Sequence, residues 1–133
     1  MGLVSSRDVA PGFSFSVGLA VGSLSRAAGG VLAPVRALGA SILAEGGEVA
    51  AYGFADPEYA RDRAEWGAVP TFATPNVIPF ACGYAPRMYS AMSAGDHDLM
   101  HLHGLWLYPS LAVAKWRRRT RRPVIVSPHG MVD

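Results

Sequence analysis

Short apolar runs alternate along this chain with segments of helical periodicity. The run SVGLAV at 16–21 is β-prone and predicts a first strand, and the Ser/Gly-rich residues 23–30 predict a loop after it. Residues 31–45 carry an apolar stripe at spacings of four, three and four, which predicts an amphipathic helix that ends at a glycine pair. EVAAYGF at 48–54 predicts a second strand. The stripe consists of Val31, Val35, Leu38 and Ile42.

The second half of the chain continues the alternation with one less readable segment. Charged residues predict a short exposed helix at 57–66. The Pro-rich segment 70–86 predicts a large loop with one strand near Val77 and Ile78. Beyond it the pattern predicts a helix, a strand, a second helix with Pro at its first position and a last strand, at 87–94, 98–103, 109–119 and 123–127.

Strands separated by helices in this way predict an α/β fold, with a Rossmann-like parallel sheet and helices on both of its faces. The 133 residues have room for one such domain, expected at 14–133 after an irregular leader at 1–13. Ligands of parallel sheets bind beyond the carboxyl ends of the strands. Loops after the first, fourth and fifth predicted strands carry glycine or histidine there, namely Gly29 and Gly30, His103 and Gly104, and His129 and Gly130.

Charge and cysteine content exclude several classes of protein. The chain is 50% hydrophobic and 17% charged, which is typical of a globular domain. Six of its twelve Lys and Arg residues lie in KWRRRTRR at 115–122, so residues 1–114 carry a net charge of −3, and we expect no nucleic-acid partner. Cys82 is the single cysteine, which excludes an internal disulfide and a cysteine-based zinc site. No apolar run reaches the ~20 residues of a membrane-spanning helix.

The stretch DLMHLHGLW at 98–106 places two histidines one residue apart. On a strand, His101 and His103 share a face, as ligands of one metal ion do, and His97 and His129 could add further imidazoles. That hypothesis describes a hydrolase with a metal-activated water, similar to the HxH of amidohydrolases. However, no carboxylate stands at convincing ligand spacing, and two βα units precede the pair. We therefore predict no metal site.

The loop after the first strand also carries no complete phosphate-binding motif. GSLSRAAGG at 22–30 lacks both the G-x-G-x-x-G of dinucleotide-binding domains and the Gly-Lys-Ser/Thr of a P-loop. What remains is Gly29 and Gly30, directly before a predicted helix. Without a Cβ, their backbone N–H groups can approach an anion closely, and the helix dipole favours negative charge there.

Three features together resemble the N-terminal half of the family 4 glycosyltransferases, which are retaining enzymes of the GT-B fold. They are the glycine pair, the segment LMHLHGLWLYPSLAVAKW and the strand ending IVSPHGMVD. The resemblance covers about residues 16–133 and is most specific over 98–133. In that family an acceptor-side domain and a donor-binding domain, both Rossmann-like, face each other across a cleft. The resemblance implies that the chain is the truncated acceptor-side domain, without the donor domain and inactive alone.

The resemblance assigns a role to each matching position. It implies that His129 lines the cleft beside the transferred sugar as a catalytic residue, and that Gly29, Gly30 and Gly130 approach the donor. His103, Gly104 and Trp106 would shape the acceptor side. An imidazole can hydrogen-bond sugar hydroxyls, and an indole offers an apolar face to a pyranose.

The implied reaction transfers a hexose from a nucleotide-sugar donor to a glycan or lipid-linked acceptor, in polysaccharide biosynthesis in the cytoplasm. The nucleotide-sugar is a substrate, and no cofactor is expected. The alternative from another class is a non-catalytic α/β module that binds a ligand or partner at the same sheet edge.

The remaining histidines and basic residues have simpler explanations. We expect His101 to be packed in the core of its strand, His97 to lie in a solvated turn, and Trp116 to be core. The cations Arg117, Arg118 and Arg119 come at the end of a predicted helix, where they meet the negative end of its dipole. Their functional alternative is peripheral contact with anionic lipid at the inner face of the membrane.

Overall fold

The computed structural model describes residues 15–77, 83–105 and 107–130, and its five strands form one parallel sheet. The order across the sheet is β3-β2-β1-β4-β5, so β1 is central. After β1 the chain builds β2 and β3 to one side and then β4 and β5 to the other. The parallel, Rossmann-like sheet is therefore confirmed. The strands are β1 (Ser16–Ser23), β2 (Glu48–Ala55), β3 (Thr71–Pro75), β4 (Leu99–His103) and β5 (Val124–Ser127).

Helices connect the strands close to the predicted positions. A 3₁₀ segment, Arg26–Val31, precedes the first α-helix, and a second 3₁₀ turn, Arg63–Trp66, follows the one-turn helix α2. The two later helices each carry a proline in the first turn, where a missing backbone N–H costs no helical hydrogen bond. The α-helices are α1 (Leu32–Ala44), α2 (Tyr59–Asp62), α3 (Pro86–Ala94) and α4 (Tyr108–Thr120).

Both faces of the central strands are buried, which explains why β1 and β2 are continuous apolar runs. On one face, α3 and α4 pack through Met88, Met92 and Trp116 against the sheet. On the other, α1 packs through Leu32 and Val35, together with the turn that contains Trp66. Helices on both faces are thus confirmed, and Trp116 is a core residue as predicted.

The third strand differs from the prediction. It runs over Thr71–Pro75, whereas Val77, near which the strand was predicted, lies beyond it with 59% of its surface exposed. Ile78 lies outside the described residues. β3 is an edge strand that pairs only with β2, so most of its side chains need not be apolar and the run TFATP gives little signal. Phe72 anchors it by stacking on Tyr52, with ring centroids 5.3 Å apart.

His97 also differs from the prediction of a solvated turn, because it is only 3% exposed. Its Nδ1 lies 2.8 Å from Ser16 Oγ and its Nε2 lies 2.6 Å from Tyr52 Oη, so both ring nitrogens are hydrogen-bonded. Burial raises the pKa of Tyr52, which keeps the phenol neutral. Arg122 donates to the backbone oxygen of His97 at 2.6 Å. This network joins the amino ends of β1 and β4 to the middle of β2.

The helical stretch Arg26–Ala44 satisfies the length and composition of a membrane-crossing helix, although no such segment was expected. The core helix of a globular domain and a signal sequence near the N-terminus pass the same test, and 17% of this stretch is buried. Here Gly29 interrupts the stretch with φ 64° and ψ −138°, and only the 13 residues of α1 are continuous α-helix. Such a helix is ~20 Å long, against the ~30 Å of a bilayer core. Leu32, Val35 and Gly39 are buried against the domain.

The His97 network predicts a specific stability defect. His97→Leu leaves the hydroxyls of Ser16 and Tyr52 buried without their partner, so we expect the free energy of unfolding in urea to fall by about 2–4 kcal/mol. The double variant Tyr52→Phe/His97→Leu removes one orphaned hydroxyl and should regain about 1 kcal/mol relative to the single variant. A single variant within about 0.5 kcal/mol of the wild type would contradict the role of the network.

Candidate functional site

A cavity of about 340 Å³ opens at the carboxyl ends of β1, β2 and β4, where the chain changes direction across the sheet. This is the position at which open α/β sheets bind ligands. Apolar side chains form most of its wall, with Val21, Phe54 and Leu102 at the strand ends. The loop after β4 and the first turn of α4 close the other side. Four polar side chains reach it, namely Ser23, Asp56, His103 and Ser110.

Three histidines form a stack beside this cavity. His101 and His103 project from the same face of β4 with ring centroids 3.9 Å apart. His103 Nδ1 lies 3.0 Å from His129 Nε2, and these two ring centroids are 5.3 Å apart. His101 Nε2 lies 2.7 Å from Ser127 Oγ. The parallel register of β4 with β5 pairs His103 with Ser127, which carries the loop after β5, and hence His129, to the end of β4.

The backbone of both His-Gly pairs turns sharply. Gly104 has φ +86° and its N–H donates to Ser127 O at 2.8 Å, so the two loops are hydrogen-bonded to each other. His129 has φ +52° and Gly130 has φ +79°. A left-handed conformation is uncommon for a residue with a side chain, and such residues concentrate at functional sites. This turn sets the exposed imidazole of His129 against the buried imidazole of His103.

His103 is buried and uncharged at neutral pH. It is 6% exposed, and burial first, then the imidazoles of His101 and His129, lower its pKa to about 4. Burial and the charge of His129 also lower the pKa of His101. Among the described residues, His103 Nε2 has no hydrogen-bond partner. One nitrogen of His103 is thus engaged by His129, and the other is unused.

The burial of His101 and His103 is the reverse of the prediction. His101, expected in the core, is half-buried, whereas His103, expected to emerge at the cleft edge, is buried while it still lines the cavity. The reason is the covering of the sheet. α1 packs over β1 and β2, so the face of β4 and β5 that carries His101 stays partly open, and its neighbour Ile125 is 49% exposed. The loops at the carboxyl edge cover His103 instead.

Gly29 and Gly30 do not line this cavity. They lie exposed in the 3₁₀ segment before α1, where a Cβ added to either would meet no atom within 4 Å. Ala27 and Ala28 form the cavity wall in their place, and Gly29 borders a separate shallow depression beside Arg26.

The 3₁₀ segment is held in place by Arg26. Its backbone N–H and guanidinium donate to the buried carboxylate of Asp62 at 2.6–3.0 Å. Hydrogen bonds from Arg26 hold the pKa of Asp62 well below its usual range. Arg26 is therefore engaged in an ion pair within the domain.

Asp56, directly after β2, is a site residue that sequence reasoning missed. Its Oδ1 accepts from Ser25 Oγ at 2.7 Å and from the backbone N–H of Glu58 at 3.0 Å, and its Oδ2 accepts from Ser23 Oγ. Ser25 also accepts from the N–H of Ala27, which caps the 3₁₀ segment. The sequence did offer a signal for Asp56: it is an acidic residue at the carboxyl end of a strand next to β1, where parallel sheets bind ligands.

The remaining predicted residues lie elsewhere. Trp106 is outside the described residues. The side chains of Arg117, Arg118 and Arg119 are exposed in the last turn of α4. Because α4 leads from the carboxyl end of β4 to the amino end of β5, these cations are at the opposite edge of the sheet from the cavity. In the part of the chain described, no group of three or more His, Cys, Asp or Glu side chains is placed to hold a metal ion.

Comparison with known proteins agrees with the fold. The sequence model of the glycosyl transferase 4-like domain matches residues 29–133. The chain belongs to this family. Its match takes in β2 to β5 and both His-Gly pairs, so the resemblance to the N-terminal part of a family 4 glycosyltransferase is confirmed. No curated protein matches the chain.

The depressed pKa of His103 predicts acid-sensitive stability. A histidine with a folded pKa of about 4 and an ordinary value of 6.5 stabilises the fold above pH 6.5, and this contribution is lost as the pH falls toward 4. The wild type should therefore lose about 1–3 kcal/mol between those pH values relative to His103→Leu, measured by urea unfolding. NMR titration should show the His103 ring protonating below pH 5. A titration midpoint near 6.5 for that ring would refute the prediction.

Proposed function

We propose that this glycosyltransferase domain forms the acceptor side of an enzyme that moves a hexose from a nucleotide-sugar to a glycan or lipid-linked acceptor. One observation carries the proposal: the two His-Gly pairs, 26 residues apart in the chain, are in direct contact through His103 Nδ1 and His129 Nε2, and His103 lines the cavity. A pair of imidazoles beside a strand-end cavity, the inner one uncharged at neutral pH, suits the positioning of hydroxyl groups.

The stack suggests a division of roles between the two histidines. His103 is the inner ring, and its free Nε2 would hydrogen-bond the acceptor hydroxyl. His129 is the outer, exposed ring and would face the transferred sugar, which makes it the catalytic residue of the proposal. Gly104 shapes the acceptor side through its hydrogen bond to Ser127. Trp106 remains a proposed contact of the acceptor.

The glycines remain proposed donor contacts. Gly130 and the pair Gly29 and Gly30 are exposed, and a Cβ at any of them would meet no atom within 4 Å, so a ligand could approach their backbone N–H groups closely. Because Gly29 lies outside the cavity, a donor that contacts Gly29 would lie across the rim of the cavity.

We further propose that these 133 residues do not transfer sugar alone. A departing nucleoside diphosphate needs cations or helix N-termini to stabilise its charge, and no Lys or Arg of the described residues lines the cavity. In the family that the chain resembles, these groups belong to the donor-binding domain. No cofactor enters the proposal, because the nucleotide-sugar is itself the substrate.

The test is a transfer assay with the protein expressed from its complete gene, with labelled nucleotide-hexoses offered to glycan and lipid-linked acceptors. We expect His129→Ala and His103→Ala each to lower kcat/KM by about 100-fold or more, since both would lose contacts to the reacting groups. His101→Gln is the matched control, because it lies in the same stack but does not line the cavity. Full activity of both alanine variants, or turnover by residues 1–133 alone, would overturn the corresponding proposal.

Peripheral membrane contact is a separate proposal that concerns the far edge of the domain. Arg117, Arg118 and Arg119 are exposed together at the end of α4, and Leu111, on the same helix, is 61% exposed. Such a surface could attract anionic lipid head groups while the cavity stays open at the other edge. The proposed location is therefore cytoplasmic, at the inner face of the membrane.

Replacing the three arginines by glutamine should weaken sedimentation with anionic vesicles by about 100-fold, at about 1 kcal/mol per residue. The control changes Arg61, Arg63 and Arg87 to glutamine, which removes the same charge from other exposed positions. Equal loss in both triple variants would mean that net charge alone attracts the lipid. If the variant without Arg117, Arg118 and Arg119 still sediments like the wild type, the membrane proposal is wrong, and these arginines only interact favourably with the helix dipole.

A further inference from the structure

The wall of the strand-end cavity lacks the polar groups that a sugar ring requires. Nine of its fifteen lining residues have apolar side chains and two are glycine. Of the four polar ones, Ser23 and Asp56 already hydrogen-bond each other. A pyranose carries several hydroxyl groups, each of which loses water on entry and needs a partner in the protein. The cavity offers far more apolar surface than hydrogen-bonding partners.

The charges of the lining residues also restrict which ligands the cavity can bind. Asp56 is the one ionisable acid among the lining residues, and no Lys or Arg lies among them to attract an anion. His103, the remaining titratable group, is held uncharged at neutral pH by its burial. A phosphate or carboxylate would therefore lose its hydration and meet a carboxylate at the rim. The occupant that suits this cavity is electrically neutral.

One buried polar atom of the described lining residues is left without a partner in the protein. His103 is 6% exposed, its Nδ1 is engaged by His129, and its Nε2 has no partner among the described residues. Buried polar atoms in proteins are nearly always hydrogen-bonded, and an unpaired one often marks a functional position. A neutral imidazole nitrogen pairs with a hydroxyl whichever tautomer is present, because a hydroxyl both donates and accepts.

The volume sets the size of the occupant. A cavity of ~150 Å³ holds one benzene ring. At about 340 Å³, this cavity has room for roughly two fused rings or a branched chain of similar volume. It stands near the lower limit of ~300 Å³ for ligand pockets, which favours one end of a molecule over a whole large substrate.

We propose that the cavity binds the apolar, uncharged end of a hydroxyl-bearing acceptor, such as an aryl or branched alkyl alcohol, with its hydroxyl on His103 Nε2. This inference rests on the proposed function, because it takes the cavity as the acceptor side of a glycosyltransferase. It selects an apolar acceptor over a glycan.

Binding to the protein is measured by calorimetry with three neutral probes: 2-naphthol, 2-methoxynaphthalene, which cannot donate a hydrogen bond, and methyl glucoside. We expect 2-naphthol to bind most tightly and methyl glucoside not to bind detectably. His103→Leu should lower the affinity for 2-naphthol about tenfold and the affinity for 2-methoxynaphthalene by less than about threefold. Only 2-naphthol loses a hydrogen bond in this variant. Tighter binding of methyl glucoside than of 2-naphthol would overturn the proposal.

Cavity-filling variants locate the bound probe. Ala27→Phe introduces a ring from the 3₁₀ segment into the cavity and should weaken 2-naphthol by about tenfold or more. Ala37→Phe is the matched control, since Ala37 is exposed on α1 and does not line the cavity, and it should leave the affinity unchanged. Ser110→Phe repeats the test from α4 if Ala27→Phe fails to fold. Equal affinities in filling and control variants would refute the assignment to this cavity.

The binding experiment is independent of the transfer assay. Naphthol binding that follows this pattern, without sugar transfer by the protein from its complete gene, would retain the apolar site and reject the enzymatic role. Sugar transfer to a glycan acceptor, without naphthol binding, would retain the enzyme and reject the apolar acceptor. Failure of the apolar acceptor site and failure of the enzymatic role therefore give different experimental results.

Discussion

The burial of β1 on both faces is the constraint on which the other features depend. β1 pairs in parallel with β2 on one side and β4 on the other, and its residues from Ser16 to Val21 are buried. Gly18 permits the close approach of β4, since a Cβ there would overlap the side chain of Met100, whose Cε would lie 2.8 Å away. Because the chain leaves β1 first toward β2 and later returns to β4, the loops that follow β1 and β4 diverge. The cavity occupies the space that they leave.

The chemistry of the site follows from the same pairing. β4 carries histidines on alternate residues, and the register of β5 brings a third histidine to the end of the stack. Burial, and after it the nearby imidazoles of His101 and His129, disfavour protonation of His103 and lower its pKa. The sheet therefore creates an uncharged hydrogen-bonding group at a strand end without any acidic partner. Uncharged imidazoles suit hydroxyl substrates better than phosphates.

Much of this fold could be predicted from the sequence, and the failures share a physical cause. The apolar runs of β1 and β2 and the helical stripe of α1 are local signals, and they gave the correct elements. The edge strand β3 is half-solvated, so its composition is ordinary and its position was predicted too far along the chain. The burial of His97 depends on Ser16 and Tyr52, which are 81 and 45 residues away. Asp56 gains its role only when Ser23 and Ser25 are seen beside it.

The distribution of charge separates two tasks that a glycosyltransferase must combine. Acceptor binding needs a hydroxyl held in place, and the cavity provides an imidazole nitrogen in an apolar wall. Departure of a nucleoside diphosphate needs positive charge, and Arg26, the basic residue of the 3₁₀ segment, already forms an ion pair with Asp62. The arginines at the end of α4 lie at the opposite edge of the sheet and cannot reach the cavity. In the proposed function, acceptor recognition therefore uses no cation among the described residues, and stabilisation of the leaving group falls to other groups.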